Sequence, residues 1–217
     1  RPLADQKADI LEGLSRMAKH FAHTGIPCGR VMVFPWEISP PETFQLLKAF
    51  GFLGTINGQV LPLGATWPSE PEFAMYPAVM DFESFPSLLY RHPGTYHPFK
   101  PDVQAFVLDL FIGKPAIFHS FWTDLFADGV DSFNTVAEQI NALDGNVQWD
   151  SPENILRHLY LEKVNDDGSV DVRMFCSELV VNNESSEDRV YHFSKEESLN
   201  VPISSLTADG QSLTYEV

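Results

Sequence analysis

The chain has 217 residues, of which 44% are hydrophobic and 20% are charged, a balance typical of a globular protein with one or two domains. Its 14 Lys and Arg stand against 30 Asp and Glu, which gives a formal net charge of -16. Nucleic acids and anionic membrane surfaces are bound by clustered cations, so this charge argues against both as partners. No apolar run reaches the roughly 18 residues that a membrane-spanning helix needs.

The two cysteines, Cys28 and Cys176, are too few for a disulfide framework, and we expect two free buried thiols. The chain begins at Arg1 and shows no signal peptide. We therefore expect either that a leader has been removed or that this is a piece of a longer protein.

The pattern of the chain changes near residue 160. Residues 1–160 contain all four Trp and alternate helical with strand patterns, whereas residues 161–217 contain the patterns of short strands. We predict a β/α region over residues 1–160 and a small β-sheet appendage over residues 161–217.

The first predicted element is a helix whose apolar residues recur every three or four positions until Gly25 ends it. An apolar, β-branched strand over 30–34 follows, and Ser39 then opens a capped helix that ends at Gly51. The later predicted elements of this region are strands over 52–56, 77–81, 115–119 and 146–149 and helices over 102–112, 131–143 and 151–160.

The alternation of strands and helices predicts parallel strands joined by crossover helices, as in a partial (β/α) barrel. In such sheets the chemistry lies just past the C-terminal ends of the strands. That rule selects Trp36, Glu37, Asp81, Glu83, His119, Trp122 and Asp150.

The C-terminal region carries two hairpin signals. The sequence Asn-Asp-Asp-Gly over 165–168 separates strand patterns over 161–164 and 170–176, and Asp209-Gly210 marks a second turn. Further short strands are predicted over 190–193 and 201–203. Together these patterns predict a small antiparallel β region.

His119 is the most informative single residue, because it ends an apolar strand and is followed by aromatic residues. A histidine there titrates near neutral pH and suits a general acid or base, although a core histidine bonded to a backbone carbonyl fits the local sequence equally well.

The other candidates also allow two interpretations. Trp36 and Glu37 suit a sugar-stacking ring beside an acid, or a Trp packed over the rim of the sheet. Asp81 and Glu83 alternate and suit an acid–base pair or an orienting group for His119, or else solvated charges at a strand end.

Signals for other kinds of site are weak or missing. His20 and His23 are three residues apart on the first predicted helix, which suits a metal pair, but no third ligand is evident nearby. The sequence contains no Gly-rich phosphate loop, no Gly-x-Ser-x-Gly elbow and no Cys-x-x-Cys pair. These absences argue against a nucleotide-binding protein, a serine hydrolase and a zinc ribbon.

The order of the motifs resembles that of a known family. The motifs that carry the resemblance are, in chain order, the segments 30–37 and 39–52, Met80-Asp81-Phe82, Ile117-Phe118-His119, and the stretches 126–143 and 149–153. This order resembles that of polysaccharide deacetylases of the NodB-homology type, carbohydrate esterase family four. The resemblance covers roughly residues 5–160 and implies hydrolysis of N-acetyl groups on the amino sugars of a polysaccharide.

The resemblance also implies roles for individual residues. Pro35 and Trp36 would wall the substrate groove, Asp81 would orient His119, and His119 would protonate the leaving amine. A divalent metal such as zinc would act as Lewis acid for the attacking water. An extracytoplasmic or secreted location is typical of the family. With the aromatic and acidic residues beside these strands, the candidate substrate-binding set is Pro35, Trp36, Glu37 and Trp122.

The motifs that bind the metal in that family are absent from this chain. They precede the helix that opens it, and the arginine of the family's third motif is missing as well. We therefore predict an incomplete, C-terminal part of a deacetylase-like barrel. The alternatives are a non-catalytic carbohydrate-binding or scaffold module, and a glycosidase that uses paired carboxylates such as Glu37 and Asp81.

Overall fold

A computed structural model gives the arrangement of most of the chain. It describes residues 2–34, 39, 41–57, 73–82, 84–89, 92–93, 95–96, 99–100, 103–119, 129, 131–197 and 203–216. The helices in these ranges are α1 (Leu3–Thr24), α2 (Pro41–Ala49), α3 (Val103–Phe111), α4 (Asp131–Leu143) and α5 (Pro152–Arg157). None of these helices is long and apolar enough to cross a membrane.

The strands form one larger sheet and several small ones. They are β1 (Val31–Val33), β2 (Gly54–Asn57), β3 (Phe73–Met75), β4 (Val79–Phe82), β5 (Pro86–Leu89), β6 (His92–Pro93), β7 (Thr95–Tyr96), β8 (Phe99–Lys100), β9 (Phe118–His119), β10 (Tyr160–Val164), β11 (Val170–Met174), β12 (Tyr191–Ser194), β13 (Thr207–Ala208) and β14 (Gln211–Ser212). The larger sheet has the order β1-β2-β5-β4-β3.

The larger sheet is mixed, which corrects part of the predicted fold. Strands β1, β2 and β5 are parallel, but β4 pairs antiparallel with both β5 and β3. The mixed α/β class is as predicted, whereas the all-parallel arrangement is wrong and the described strands do not form a closed barrel.

A tight turn explains the antiparallel pair. Phe82 and Phe85 exchange backbone hydrogen bonds of 3.1 and 3.0 Å, and only two residues lie between the members of this bonded pair. Ser84 in this turn has a positive φ of 61°. Two residues can reverse a chain into a hairpin but are far too few for a parallel crossover.

The long first helix forms as predicted and ends at the predicted glycine. Gly25 has a φ of 70°, and its N–H donates to the carbonyl oxygen of Phe21 at 2.8 Å. This left-handed cap suits glycine, which lacks a Cβ. Ile10 and Leu14 pack from α1 against the apolar cluster on the face of the sheet that α2 covers.

Two apolar clusters lie on opposite faces of the larger sheet. On one face, Phe44 and Leu47 of α2 pack against Met80 and Phe82 of β4. On the other face the buried residues are Leu53, Ile56, Leu88, Leu156 and Cys176. The sheet is therefore a middle layer with α2 on one side and α5 on the other.

The C-terminal region follows the prediction only in part. The hairpin of β10 and β11 turns at residues 165–168 as predicted, and β13 and β14 form the predicted second hairpin. However, β12 is parallel to β11, so this small sheet is mixed rather than antiparallel. Residues 146–149 form no strand, and Ile203 lies outside any strand.

The thiols also differ partly from expectation. Both cysteines are free, but only Cys176 is buried, while Cys28 is partly exposed. The Sγ of Cys176 donates to the backbone oxygen of Glu178, and burial raises the pKa of this thiol. A buried thiol with a raised pKa is chemically inert, which fits a packing role.

An ion-pair network joins the start of β1 to α5 and to the segment after β11. Glu178 accepts from the guanidinium groups of Arg30 at 2.6 Å and Arg157 at 3.1 Å. Glu153 accepts from the backbone N–H of Arg30 at 2.7 Å and from Arg157 at 2.6 Å. The two arginines lower the pKa of Glu178, so this carboxylate contributes stability above its ordinary pKa and loses it as the pH falls.

Candidate functional site

Three parallel strands of the larger sheet end at one edge. The last residues of β1, β2 and β5 are Val33, Asn57 and Leu89, and the register aligns Asn57 with Leu89. Carboxyl ends of parallel strands are where ligands bind in sheets of this kind. The predicted groove residues Pro35, Trp36 and Glu37 follow β1 directly in sequence but lie outside the described residues.

Buried polar atoms line part of this sheet. Thr55 of β2 and Ser87 of β5 are in register on one face, and Asn57 lies two residues beyond Thr55. The side-chain oxygens Thr55 Oγ1, Ser87 Oγ and Asn57 Oδ1 have no hydrogen-bond partner in the described structure. Buried polar groups without partners are rare in cores and are often found where a ligand binds.

His119 is the last residue of β9, whose strand is shorter than the predicted 115–119. Strand β9 is parallel to β6, with Pro93 in register with His119 and α3 between the two strands in sequence. His119 therefore ends a short strand that is parallel to its neighbour β6, a strand that the sequence did not predict. Trp122 lies outside the described residues.

Asp81 lies on an antiparallel strand, so its predicted position after a parallel strand is wrong. It is in register with Pro86, the first residue of β5, and therefore aligns with the starting ends of the parallel strands. Its partner in the predicted pair, Glu83, lies outside the described residues. The role of Asp81 as an orienting group for His119 stays a prediction.

The environment of Asp81 is unusual for a carboxylate. Only 6% of the residue is exposed, and its Oδ1 has no hydrogen-bond partner among the described residues. Burial raises the pKa of Asp81, because the charged form is poorly solvated there. The positive charges of Lys195, Arg173 and Lys48 act in the opposite direction.

Charged groups from distant parts of the sequence surround the turn next to Asp81. The Nζ of Lys195 donates to the carbonyl oxygen of Ser84 at 3.2 Å and to the carboxylate of Glu197. Lys48 of α2 pairs with the same carboxylate. Burial lowers the pKa of Lys195. Sequence reasoning missed this cluster, because its two lysines are separated by more than a hundred residues in the sequence.

We expect Asp81→Asn to raise the free energy of unfolding by about 1 kcal/mol at pH 7, because the amide keeps the shape and removes a poorly solvated charge. The pKa of Asp81 in the folded protein is raised above its ordinary value of 3.8. Its contribution to the free energy of unfolding is therefore fully favourable below pH 3.8 and is lost as the pH rises through the pKa in the folded protein. The gain should therefore grow from pH 4 to pH 7 in thermal unfolding. Asp171→Asn, at an exposed position on β11, is the matched control and should change little. A loss of stability on replacing Asp81 would contradict this interpretation.

The described residues do not fit a metal site. They contain no group of three or more His, Cys, Asp or Glu that could hold an ion. His20 and His23 are both exposed on α1. We therefore derive no chemical step through the divalent metal that the family resemblance implies.

Comparisons with known proteins add no relative. No family model, no curated protein and no solved structure matches this chain.

Proposed function

We propose that this chain is a carbohydrate-active, hydrolase-like domain of the polysaccharide N-deacetylase kind. The proposal rests on the order of motifs in the sequence, from the segment that contains Pro35 and Trp36 to the one that ends at His119. The substrate would be a polysaccharide that contains N-acetylated amino sugars. The strongly acidic chain favours neutral or cationic ligands over anionic ones, in agreement with such a substrate.

The observation that carries the proposal is the parallel β/α arrangement around the two central motifs. One unit runs from β1 through α2 to β2, and Pro35, Trp36 and Glu37 follow its first strand. The other runs from β6 through the short strands β7 and β8 and then α3 to β9, which ends at His119. The first motif therefore follows a strand that is parallel to its neighbour, and the second motif ends one. Proteins of this fold class have their catalytic residues at such strand ends.

The proposed reaction is hydrolysis of an amide bond. Water adds to the acetyl carbon, the bond from that carbon to the sugar nitrogen breaks, and acetate and a free amine are the products. His119 would give its proton to the nitrogen as the bond breaks, which is the role of a general acid. Trp36 would offer a ring face to a sugar ring, and the adjacent Pro35 would form the wall of the groove.

The experiment is to incubate the chain with a hexamer of β-1,4-linked N-acetylglucosamine, with and without added zinc, and to measure free acetate, new reducing ends and binding. Released acetate supports the proposal. New reducing ends without acetate would support a glycosidase instead, and binding without any product would support a non-catalytic carbohydrate-binding module. The absence of products and binding would contradict a carbohydrate-active domain altogether.

A further inference from the structure

One cleft has a lining that contains none of the last residues of β1, β2 and β5. It has a volume of about 950 Å³ and opens between α3, α4 and α5 on one side and the strands β10 and β12 on the other. Pockets for small molecules typically have volumes of roughly 300–1,000 Å³, so this cleft is large enough for several sugar units. All of its lining residues lie in the described ranges.

Four aromatic side chains line the cleft: Phe106, which is fully buried, and three that are exposed to solvent in part. Trp149 lies at one side and is 49% exposed, and its Nε1 donates to Oδ1 of Asn141 at 2.8 Å. This bond fixes the indole while leaving part of its surface open. Tyr160 and Tyr191 line the opposite side and are partly exposed. Aromatic rings of this kind offer an apolar face, and the tyrosines add a hydroxyl group that can donate or accept.

Polar groups in the cleft are held in place by local hydrogen bonds. Oδ1 of Asp150 accepts from the backbone N–H of Ser151 at 2.7 Å and from Nδ2 of Asn154 at 2.9 Å. These bonds lower the pKa of Asp150, so the group is a carboxylate at neutral pH. The position of an acceptor is thereby fixed before any ligand arrives.

His158 adds a second oriented group. Its Nδ1 lies 2.8 Å from the carbonyl oxygen of Asn154. Because a carbonyl oxygen only accepts, Nδ1 carries the proton in this contact, and in the neutral ring Nε2 is left as an acceptor. The cleft thus combines apolar ring faces with fixed acceptors, which is the pattern that hydroxyl-rich ligands need.

The charged residues of the lining indicate which ligands the cleft would disfavour. The lining contains three carboxylates, Asp150, Glu162 and Glu184, and two cationic side chains, Lys114 and Arg189. Lys114 is already paired with Asp109, with 3.1 Å between Nζ and Oδ1. Phosphorylated and acidic ligands are therefore disfavoured, and the polar lining disfavours a purely apolar ligand.

We propose that this cleft is an oligosaccharide-binding site for neutral sugar chains, with rings packed on Trp149 and Tyr191 and hydroxyl groups bonded to Asp150 and His158. A sugar ring has an apolar face of C–H groups and a rim of hydroxyl groups, and this cleft presents partners for both. The lining of this cleft contains neither Trp36 nor His119, so the proposal does not depend on the proposed hydrolase function.

The test is calorimetric titration of the chain with cellohexaose and with the N-acetylglucosamine hexamer. We expect Trp149→Ala to raise the Kd of at least one hexamer tenfold or more, as loss of a central aromatic contact does. Tyr191→Ala removes the opposite ring and should also weaken binding, which keeps the test decisive should the first variant not fold. Phe111→Ala removes an aromatic ring that is 85% exposed on α3, and it should leave the Kd unchanged.

The outcomes separate this site from the strand-end groove. Binding that depends on Trp149 but persists in Trp36→Ala supports the cleft alone. The cleft proposal is overturned if only Trp36→Ala abolishes binding. It is also overturned if neither Trp149→Ala nor Tyr191→Ala changes the Kd. No detectable binding of either hexamer at millimolar concentration also overturns it.

Discussion

Gly54→Ala should lower the free energy of unfolding by about 3 kcal/mol, the upper end of what overpacking a core costs. Gly54 is the first residue of β2 and is buried in the larger sheet. A Cβ added there would lie 2.6 Å from the backbone oxygen of Pro86 and 2.9 Å from Cδ1 of Leu156. Leu156 can shift slightly, but the oxygen of Pro86 belongs to the neighbouring strand and cannot move without disturbing the sheet.

Thermal or denaturant unfolding of this variant is the measurement, and the chain offers a matched control. Gly13 lies inside α1, and a Cβ added there meets nothing within 4 Å. Gly13→Ala should therefore stabilise the protein by roughly 0.5–1 kcal/mol, because alanine favours a helix interior. The two glycine substitutions should have opposite signs. A change smaller than about 0.5 kcal/mol at Gly54 would show that β2 and β5 are packed less closely than we describe.

His119→Ala should lower the rate of acetate release by at least 100-fold. Loss of a general acid typically costs a factor of roughly 10²–10⁴, because the leaving nitrogen must then depart without a proton. The measurement is the rate of acetate release from the N-acetylglucosamine hexamer, compared between wild type and variant at equal protein concentration. This prediction rests on the proposed function and on the position of His119 at the end of β9.

The alternative is a histidine that only packs in the core, and stability distinguishes the two roles. A catalytic His119 predicts an unfolding free energy within about 0.5 kcal/mol of the wild type. A loss of several kcal/mol would identify a structural histidine. His20→Ala, at an exposed position on α1, is the control and should change neither the rate nor the stability.

The helices were the most predictable part of the fold, because the spacing of apolar residues and the caps are local signals. The spacing and the glycine at position 25 predicted the C-terminal end of α1, and Ser151 caps α5 by accepting from the backbone N–H of Asn154 at 3.2 Å. Such signals depend on neighbours in sequence, so they survive without knowledge of the tertiary structure.

Strand direction was less predictable, because an alternating pattern shows which face is buried but not which neighbour a strand meets. The turn at Ser84 has no glycine or asparagine at the residue with positive φ, so nothing in the sequence indicated the hairpin that reverses β4. Likewise, the pattern of β12 predicted a strand, while its parallel pairing with β11 depends on the path of the intervening loop.

Some residues of the candidate sites could be selected from the sequence, whereas others could not. The rule of strand ends selected His119, which does end a strand, but it also selected Asp150, which follows no strand because residues 146–149 do not form one. Tyr160 and Tyr191 were missed as lining residues of one cleft, because they lie on different strands, β10 and β12, that meet only through their pairing with β11. The lysines near Asp81 were missed for a similar reason, since folding brings Lys48 and Lys195 together on the carboxylate of Glu197 from distant parts of the sequence.

The most direct test of the carbohydrate-active assignment is equilibrium binding of the N-acetylglucosamine hexamer to wild type and to Trp36→Ala, because binding does not require the family's metal ligands. With Trp149→Ala as background to remove the second cleft, we predict that the Trp36 substitution raises the remaining Kd at least tenfold, about 1.4 kcal/mol. Binding that is identical with and without Trp36 in that background would contradict a sugar groove at the strand ends. If the Trp149→Ala variant does not bind the hexamer at all, that result would also contradict a sugar groove at the strand ends.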